Sequence, residues 1–168
     1  MPPEVMWQGK YMTAVRDGRW EYVQRARGMT AVVILAEHEG KVVLVEQPRA
    51  ALGGRCLEFP AGLMGDVGGE ESIETAARRE LAEETGFAAD HIEIVGEFYS
   101  SPGIMTESFT LVRASGLTRA HAGGGVDGED ITTHLIARDD ITDFVAAKRA
   151  EGVGIDVKLL LLLGASIA

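Results

Sequence analysis

The stretch from Gly65 to Phe87, GDVGGEESIETAARRELAEETGF, carries an apolar stripe that runs out into acid. From Ser72 onward its pattern predicts a helix. Ser72 is an N-cap residue, Glu74 stands in the first turn, and Gly86 supplies the stop. At 100° per residue, with Glu80 set at zero, Ile73 falls at about +20°, Ala77 at about +60° and Ala76 at about −40°. Glu84 falls at about +40° and Glu83 at about −60°, on that same face. One reading is a solvated acidic face steadied by pairs such as Arg79–Glu83. The other starts from the stripe. Carboxylates that prolong an apolar face are half-desolvated and mutually repulsive, and a hard divalent cation stabilises them.

With 168 residues the chain suffices for one domain with a sizeable core, and 46% hydrophobic with 25% charged residues is an ordinary globular balance. The net charge of −10 and the lack of a basic stripe exclude a nucleic-acid-coating role. A small phosphorylated substrate stays open, because bound cations reverse the local field. The single cysteine, Cys56, allows no internal disulfide and reads as a small buried hydrophobe in a strand. The first residues lack the basic-then-apolar layout of a secretory signal, and the leucine run Leu159 to Leu163 is too short to span a bilayer. A cytoplasmic protein without membrane attachment is expected.

Strands are predicted over Trp20–Ala26, Thr30–Ala36, Lys41–Gln47, Cys56–Phe59, Ile92–Tyr99, Glu107–Ala114 and Ile131–Ala137. The second and third flank a His38-Glu39-Gly40 turn and form a hairpin. Pro48 to Arg55 reads as a loop, Ser100 to Met105 as another, and Leu117 to Asp130 as a glycine-rich acidic excursion. A helix is expected from Asp139-Asp140 to about Glu151, and a last one from about Asp156 to Leu163. Strands, one central helix, more strands and terminal helices predict a mixed sheet between helices in one α/β or α+β domain.

The spacing Gly65, Glu71, Arg79-Glu80-Leu81, Glu83-Glu84, Gly86-Phe87 resembles the signature of the Nudix hydrolase family at every fixed position. The resemblance implies an α/β/α sandwich with N-terminal antiparallel strands and a Mg²⁺-dependent hydrolase, Mn²⁺ being a possible substitute. It assigns the metal to Glu80, Glu83, Glu84 and the Ala61 carbonyl, with Arg79 orienting the acids and Gly65, Gly68 and Gly69 folding the preceding loop close by. In many relatives the first glycine belongs to a Pro-Ala-Gly run; here Gly62 of Pro60-Ala61-Gly62 precedes Glu71 by nine positions, while Gly65 keeps the strict spacing.

The flanking runs resemble those of ADP-ribose and nucleoside-diphosphate-sugar pyrophosphatases: Glu58-Phe59-Pro60-Ala61-Gly62, Gln47-Pro48-Arg49, and Ser101-Pro102-Gly103 followed by Glu107. They imply substrate contacts at Arg49, Glu58, Pro102 and Glu107. Relatives often take the catalytic base from a glutamate before the late strand, which points to Glu129, with Asp127 and Asp130 as alternatives. Trp20 and Tyr22 fit either base stacking or core packing. The implied activity is cleavage of ADP-ribose to AMP and ribose 5-phosphate. GDP-mannose or another nucleotide sugar is the alternative substrate, and a non-catalytic nucleotide sensor the more distant one. A homodimer is implied, with residues 1–28 as a strand arm and 30–168 as the catalytic core.

Overall fold

The computed structural model describes residues 2–25, 30–64, 71–126 and 128–167. Gly65, Gly68, Gly69 and Asp127 lie outside these residues, as do Ala26 and Gly28 at the end of the first predicted strand. β1 (Glu4–Gln8), β2 (Met12–Asp17) and β3 (Trp20–Arg25) form a three-stranded antiparallel sheet. β1 is exposed along its whole length, so this sheet contributes little to the core.

β4 (Ala31–His38) and β5 (Lys41–Arg49) meet at a two-residue turn in which Glu39 and Gly40 both have positive φ, 50° and 76°. This is the predicted hairpin, but the two strands pair only through Glu37↔Val42 and His38↔Lys41 and then part. β4 continues parallel to β9 (Ser108–Arg119) and antiparallel to the short β7 (Ala61–Leu63). β5 continues between β6 (Gly54–Glu58) and β10 (Thr132–Ala137). β8 (Phe87–Tyr99) flanks β9, and β11 (Gly154–Ile155) runs parallel to β6. The result is a mixed eight-stranded assembly.

Helices cover both faces, which explains why β4 and β5 read as nearly unbroken apolar runs. On one side, α1 (Ile73–Thr85) buries Ala76, Ala77 and Leu81 against Val32, Ile34, Phe87 and Val112. On the other, α2 (Ile141–Ala150) and α3 (Leu160–Ile167) bury Ile141, Val145 and Leu163 against Val33, Val42, Leu44 and Leu57. This is the expected α/β/α sandwich.

Several boundaries differ from the sequence reading. Residues 48–55 are not a loop throughout: β5 runs on to Arg49, a 3-10 turn spans Ala50–Leu52, and β6 opens at Gly54. Pro48 is tolerated because β10 reaches no further than Glu46, so a missing N–H on that edge breaks no pair. β8 starts directly after Gly86 and gives residues 117–119 a partner, so the excursion shrinks to 120–130. α2 is preceded by a 3-10 turn over Arg138–Asp140, and α3 by one over Val157–Leu159. Among the described residues no helix is long and apolar enough to cross a membrane.

Candidate active site

The Ser72 hydroxyl oxygen accepts from the Thr75 N–H at 3.2 Å, and Gly86 closes α1 in the left-handed region at φ 75°. Between these caps the predicted stripe holds. Glu80 and Glu84 are buried, 8% and 5% exposed, in line with Ala76, Ala77 and Leu81. Glu83, farther round the helix, is half-buried.

Arg79 gathers this cluster. Its guanidinium donates to Glu71 at 3.0 and 3.2 Å, to Glu80 at 2.7 Å, to Glu83 at 3.2 Å and to the Leu63 carbonyl at 3.1 Å. The hydrogen bond to Glu71 leads the causes that raise the arginine's pKa above its usual value. The sequence marks Glu71 by its spacing alone; in the fold it is the bidentate partner that fixes the fork.

β7 lies against the acidic end of the helix. The Ala61 N–H donates to Glu84 Oε2 at 3.0 Å. At Gly62 a β-carbon would fall 1.9 Å from the Glu80 carboxyl carbon, so this position admits only glycine while Glu80 holds its place. Gly62 of the Pro-Ala-Gly run is thus the glycine pressed on the described acids. Burial first, then the charges of Glu80 and Glu129, push the Glu84 carboxyl up to about 8, against the Ala61 N–H and Arg49, which lower it.

Residues 120–125 close over the C-terminal end of α1. Gly124 and Gly125 donate their N–H groups to the Glu84 and Glu83 carbonyls, both at 2.9 Å, and Ala120 donates to the Gly86 carbonyl at 2.8 Å. Gly123 approaches so closely that a β-carbon would meet the Thr85 carbonyl carbon at 2.4 Å. Glu129 follows in this loop, exposed, its Oε2 accepting from the Val126 N–H at 3.1 Å.

The remaining expected substrate residues fall into two places. Arg49, Glu58, Ala61 and Glu107 line one cleft of about 530 Å³, together with Arg25 and Lys158. Glu58, 5% exposed, accepts two hydrogen bonds from Arg49 at 2.7 Å each. Glu107 pairs with Arg25, and Lys158 with Asp156 at 2.7 Å. Pro102 and Trp20 instead line a separate groove of about 310 Å³ with Tyr22 and Met105. Trp20 is 62% exposed, with the Arg19 guanidinium 5.1 Å over its ring, so the core-packing reading of this residue is corrected. Cys56 is the buried strand residue expected, its thiol pushed up to about 12 chiefly by burial.

Sequence reasoning missed Arg25, Lys158 and Asp156 as cleft residues. Each sits in a strand or turn with no motif around it, and only the tertiary fold brings them beside Arg49.

The donor chemistry fits a hard divalent cation. Three carboxylates occupy little more than one helical turn, and Glu84 is buried with an N–H as its polar contact. As they stand, Arg79 holds Glu80 and Glu83 while Ala61 holds Glu84. Among the described residues no three acidic, histidine or cysteine side chains yet converge on one point.

The sequence matches the family model described as NUDIX domain over residues 26–147. A GDP-mannose pyrophosphatase of Enterobacter sp. (strain 638) is 34% identical over 146 residues, covering 82% of this chain and 72% of that protein. The methanol dehydrogenase activator of Bacillus methanolicus is 33% identical over 128 residues, covering 76% and 67%. A solved structure titled as an ADP compounds hydrolase aligns with a TM-score of 0.71 at 20% identity, over 99% of this chain and 92% of that one, a likeness of fold. With the signature helix, its acids and its capping loop all in place, the chain belongs to the NUDIX domain family and is one of its hydrolases.

Proposed function

We propose that the chain hydrolyses the diphosphate bridge of a nucleoside diphosphate sugar, splitting ADP-ribose into AMP and ribose 5-phosphate. The observation that carries this reading is the acidic end of α1, where buried Glu84 and Glu80 stand beside Glu83 under the Ala61-Gly62 edge. Mg²⁺, or Mn²⁺ in its place, held by Glu80, Glu83, Glu84 and Ala61, would neutralise diphosphate charge and make a bound water acidic.

The chain's own residues divide the remaining work. Arg79 fixes Glu80 and Glu83 through a planar fork whose other donors are held by Glu71. Glu129 accepts the proton of the attacking water as its oxygen bonds to phosphorus and the P–O–P bridge breaks toward the leaving phosphate. Arg49 spends two of its donors on Glu58, which presents a pre-aimed guanidinium to substrate phosphate in the cleft. Glu107 and its partner Arg25 stand on the same cleft wall and meet the sugar end. Trp20, beside Pro102 in its own groove, offers an exposed aromatic ring to a base.

GDP-mannose is the second reading, favoured by relatives that bear the name GDP-mannose pyrophosphatase at 34–37% identity. A panel of nucleotide sugars with Mg²⁺ and product analysis decides between them. Preference for GDP-mannose overturns the ADP-ribose reading, and no diphosphate cleavage of any member overturns the function.

A homodimer completes the proposal, with the N-terminal sheet as its arm. Val5 and Trp7 on that sheet and Tyr11 in the bend before β2 are all more than half exposed, apolar surface suited to a second copy. A monomer with full activity in light scattering would remove it.

A further inference from the structure

Glu129 lies between two anchors of its loop. One is the glycine run already described. The other is Arg55 of β6, whose Nη1 donates to Asp130 Oδ2 at 2.6 Å, and whose Nη2 donates to the Asp130 carbonyl at 3.2 Å and Thr132 Oγ1 at 3.4 Å. An exposed arginine–aspartate pair alone contributes little, because ordering two side chains offsets the attraction. Arg55 is different. Its Nε donates to Glu46 Oε1 and its Nη2 to the Glu46 carbonyl, both at 2.8 Å, so the guanidinium is fixed before it meets the loop.

Glu46 is itself buried and held from other elements, with Lys148 Nζ of α2 and His134 Nε2 of β10 each 3.1 Å from its Oε2. The loop is closed between its anchors by the Ile131 N–H donating to the Gly124 carbonyl at 3.3 Å and the Glu129 N–H to the Val126 carbonyl at 3.0 Å. Moving residues 130–132 therefore moves Glu129.

We propose that Arg55, braced by Glu46, is a positioning residue that holds the Asp130–Thr132 end of the loop and so sets where the Glu129 carboxylate stands. The inference rests on the reading of Glu129 as the base. A shift of about 1 Å in a reacting group is enough to lower turnover strongly without touching substrate affinity.

The experiment pairs kinetics with hydrogen exchange on the full chain, using ADP-ribose or GDP-mannose, whichever turns over faster, with Mg²⁺. In R55M, kcat is expected to fall about tenfold or more with KM within about twofold. R55K, which keeps the charge but not the fork, should restore part of the loss. Backbone amides in peptides covering 120–132 should exchange at least about tenfold faster, while those of 141–150 stay unchanged. In the E129Q background R55M should cost nothing more. Unchanged exchange in 120–132, or a loss that adds in full to that of E129Q, overturns the inference. E129Q with wild-type turnover overturns the base reading instead, and is seen without reference to Arg55. D130A, which removes the shortest of the three loop contacts of Arg55 from an exposed position, replaces R55M if that variant does not fold, and the same outcomes decide.

Discussion

Gly62 and Glu80 are packed so tightly that the carboxylate occupies the space a side chain at residue 62 would need. Gly62→Ala must therefore displace Glu80 or push β7 away from α1. Overpacking of this kind costs about 1–3 kcal/mol of stability. Because the displaced group is a proposed metal ligand, turnover should fall on the order of a hundredfold. Thermal unfolding and steady-state kinetics on the same preparation check both; an unchanged Tm with unchanged turnover would refute the packing argument.

Glu84 makes a prediction about protons. Burial and neighbouring acids raise its carboxyl from 4.5 to about 8, so the folded protein binds this proton more tightly than the unfolded chain. The contribution to stability is complete below about pH 4.5 and is lost as the pH climbs through about 8. Without divalent ion, the wild type should lose Tm relative to E84Q over that window. Uptake of Mg²⁺ near pH 7 should then release up to about one proton, readable by calorimetry in buffers of different ionisation heat. Buffer-independent heats would contradict it.

Arg79 should not accept lysine. A single ammonium cannot span Glu71, Glu80, Glu83 and the Leu63 carbonyl together, as the fork does. Arg79→Lys is expected to lower kcat on the order of tenfold and to weaken metal affinity as the acids lose their common brace. Metal titration followed by activity is the check, and a wild-type midpoint would count against the role.

Glu46 behaves in the opposite sense to Glu84. Burial alone would raise its pKa, but hydrogen bonds from Lys148, Arg55 and His134 outweigh that and hold it below the usual carboxylate range. Its contribution to stability is present above about pH 4.5 and is lost as the pH falls through the lowered value. Glu46→Leu should cost up to about 3 kcal/mol at neutral pH, since it removes the charged acceptor shared by Arg55, Lys148 and His134. The gap from wild type should narrow in acid. Denaturant midpoints at several pH values measure it.

What could be read in advance was local. Ser72, Glu74 and Gly86 fix α1 by caps and turn chemistry, and the acids follow from helical geometry alone, so that segment needed no tertiary knowledge. β7 and β11 are three and two residues long and owe their pairing to β4 and β6, partners that no window of sequence contains. The glycine run at 123–125 reads as a turn-rich excursion because its hydrogen bonds go to carbonyls about forty residues earlier in the chain, as with Gly124 and Glu84. Arg55 and Lys158 carry no motif; their meaning lies in what stands opposite them after folding.

The fork between β4 and β5 has a practical outcome for engineering. The Glu39–Gly40 corner is exposed, has open space around Gly40, and joins strands held mostly by other neighbours. Breaking the chain there sacrifices two residue pairs and touches neither helix layer. Relocated termini, or a fluorescent reporter spliced into that corner, should leave an enzyme that still folds and still cuts its substrate.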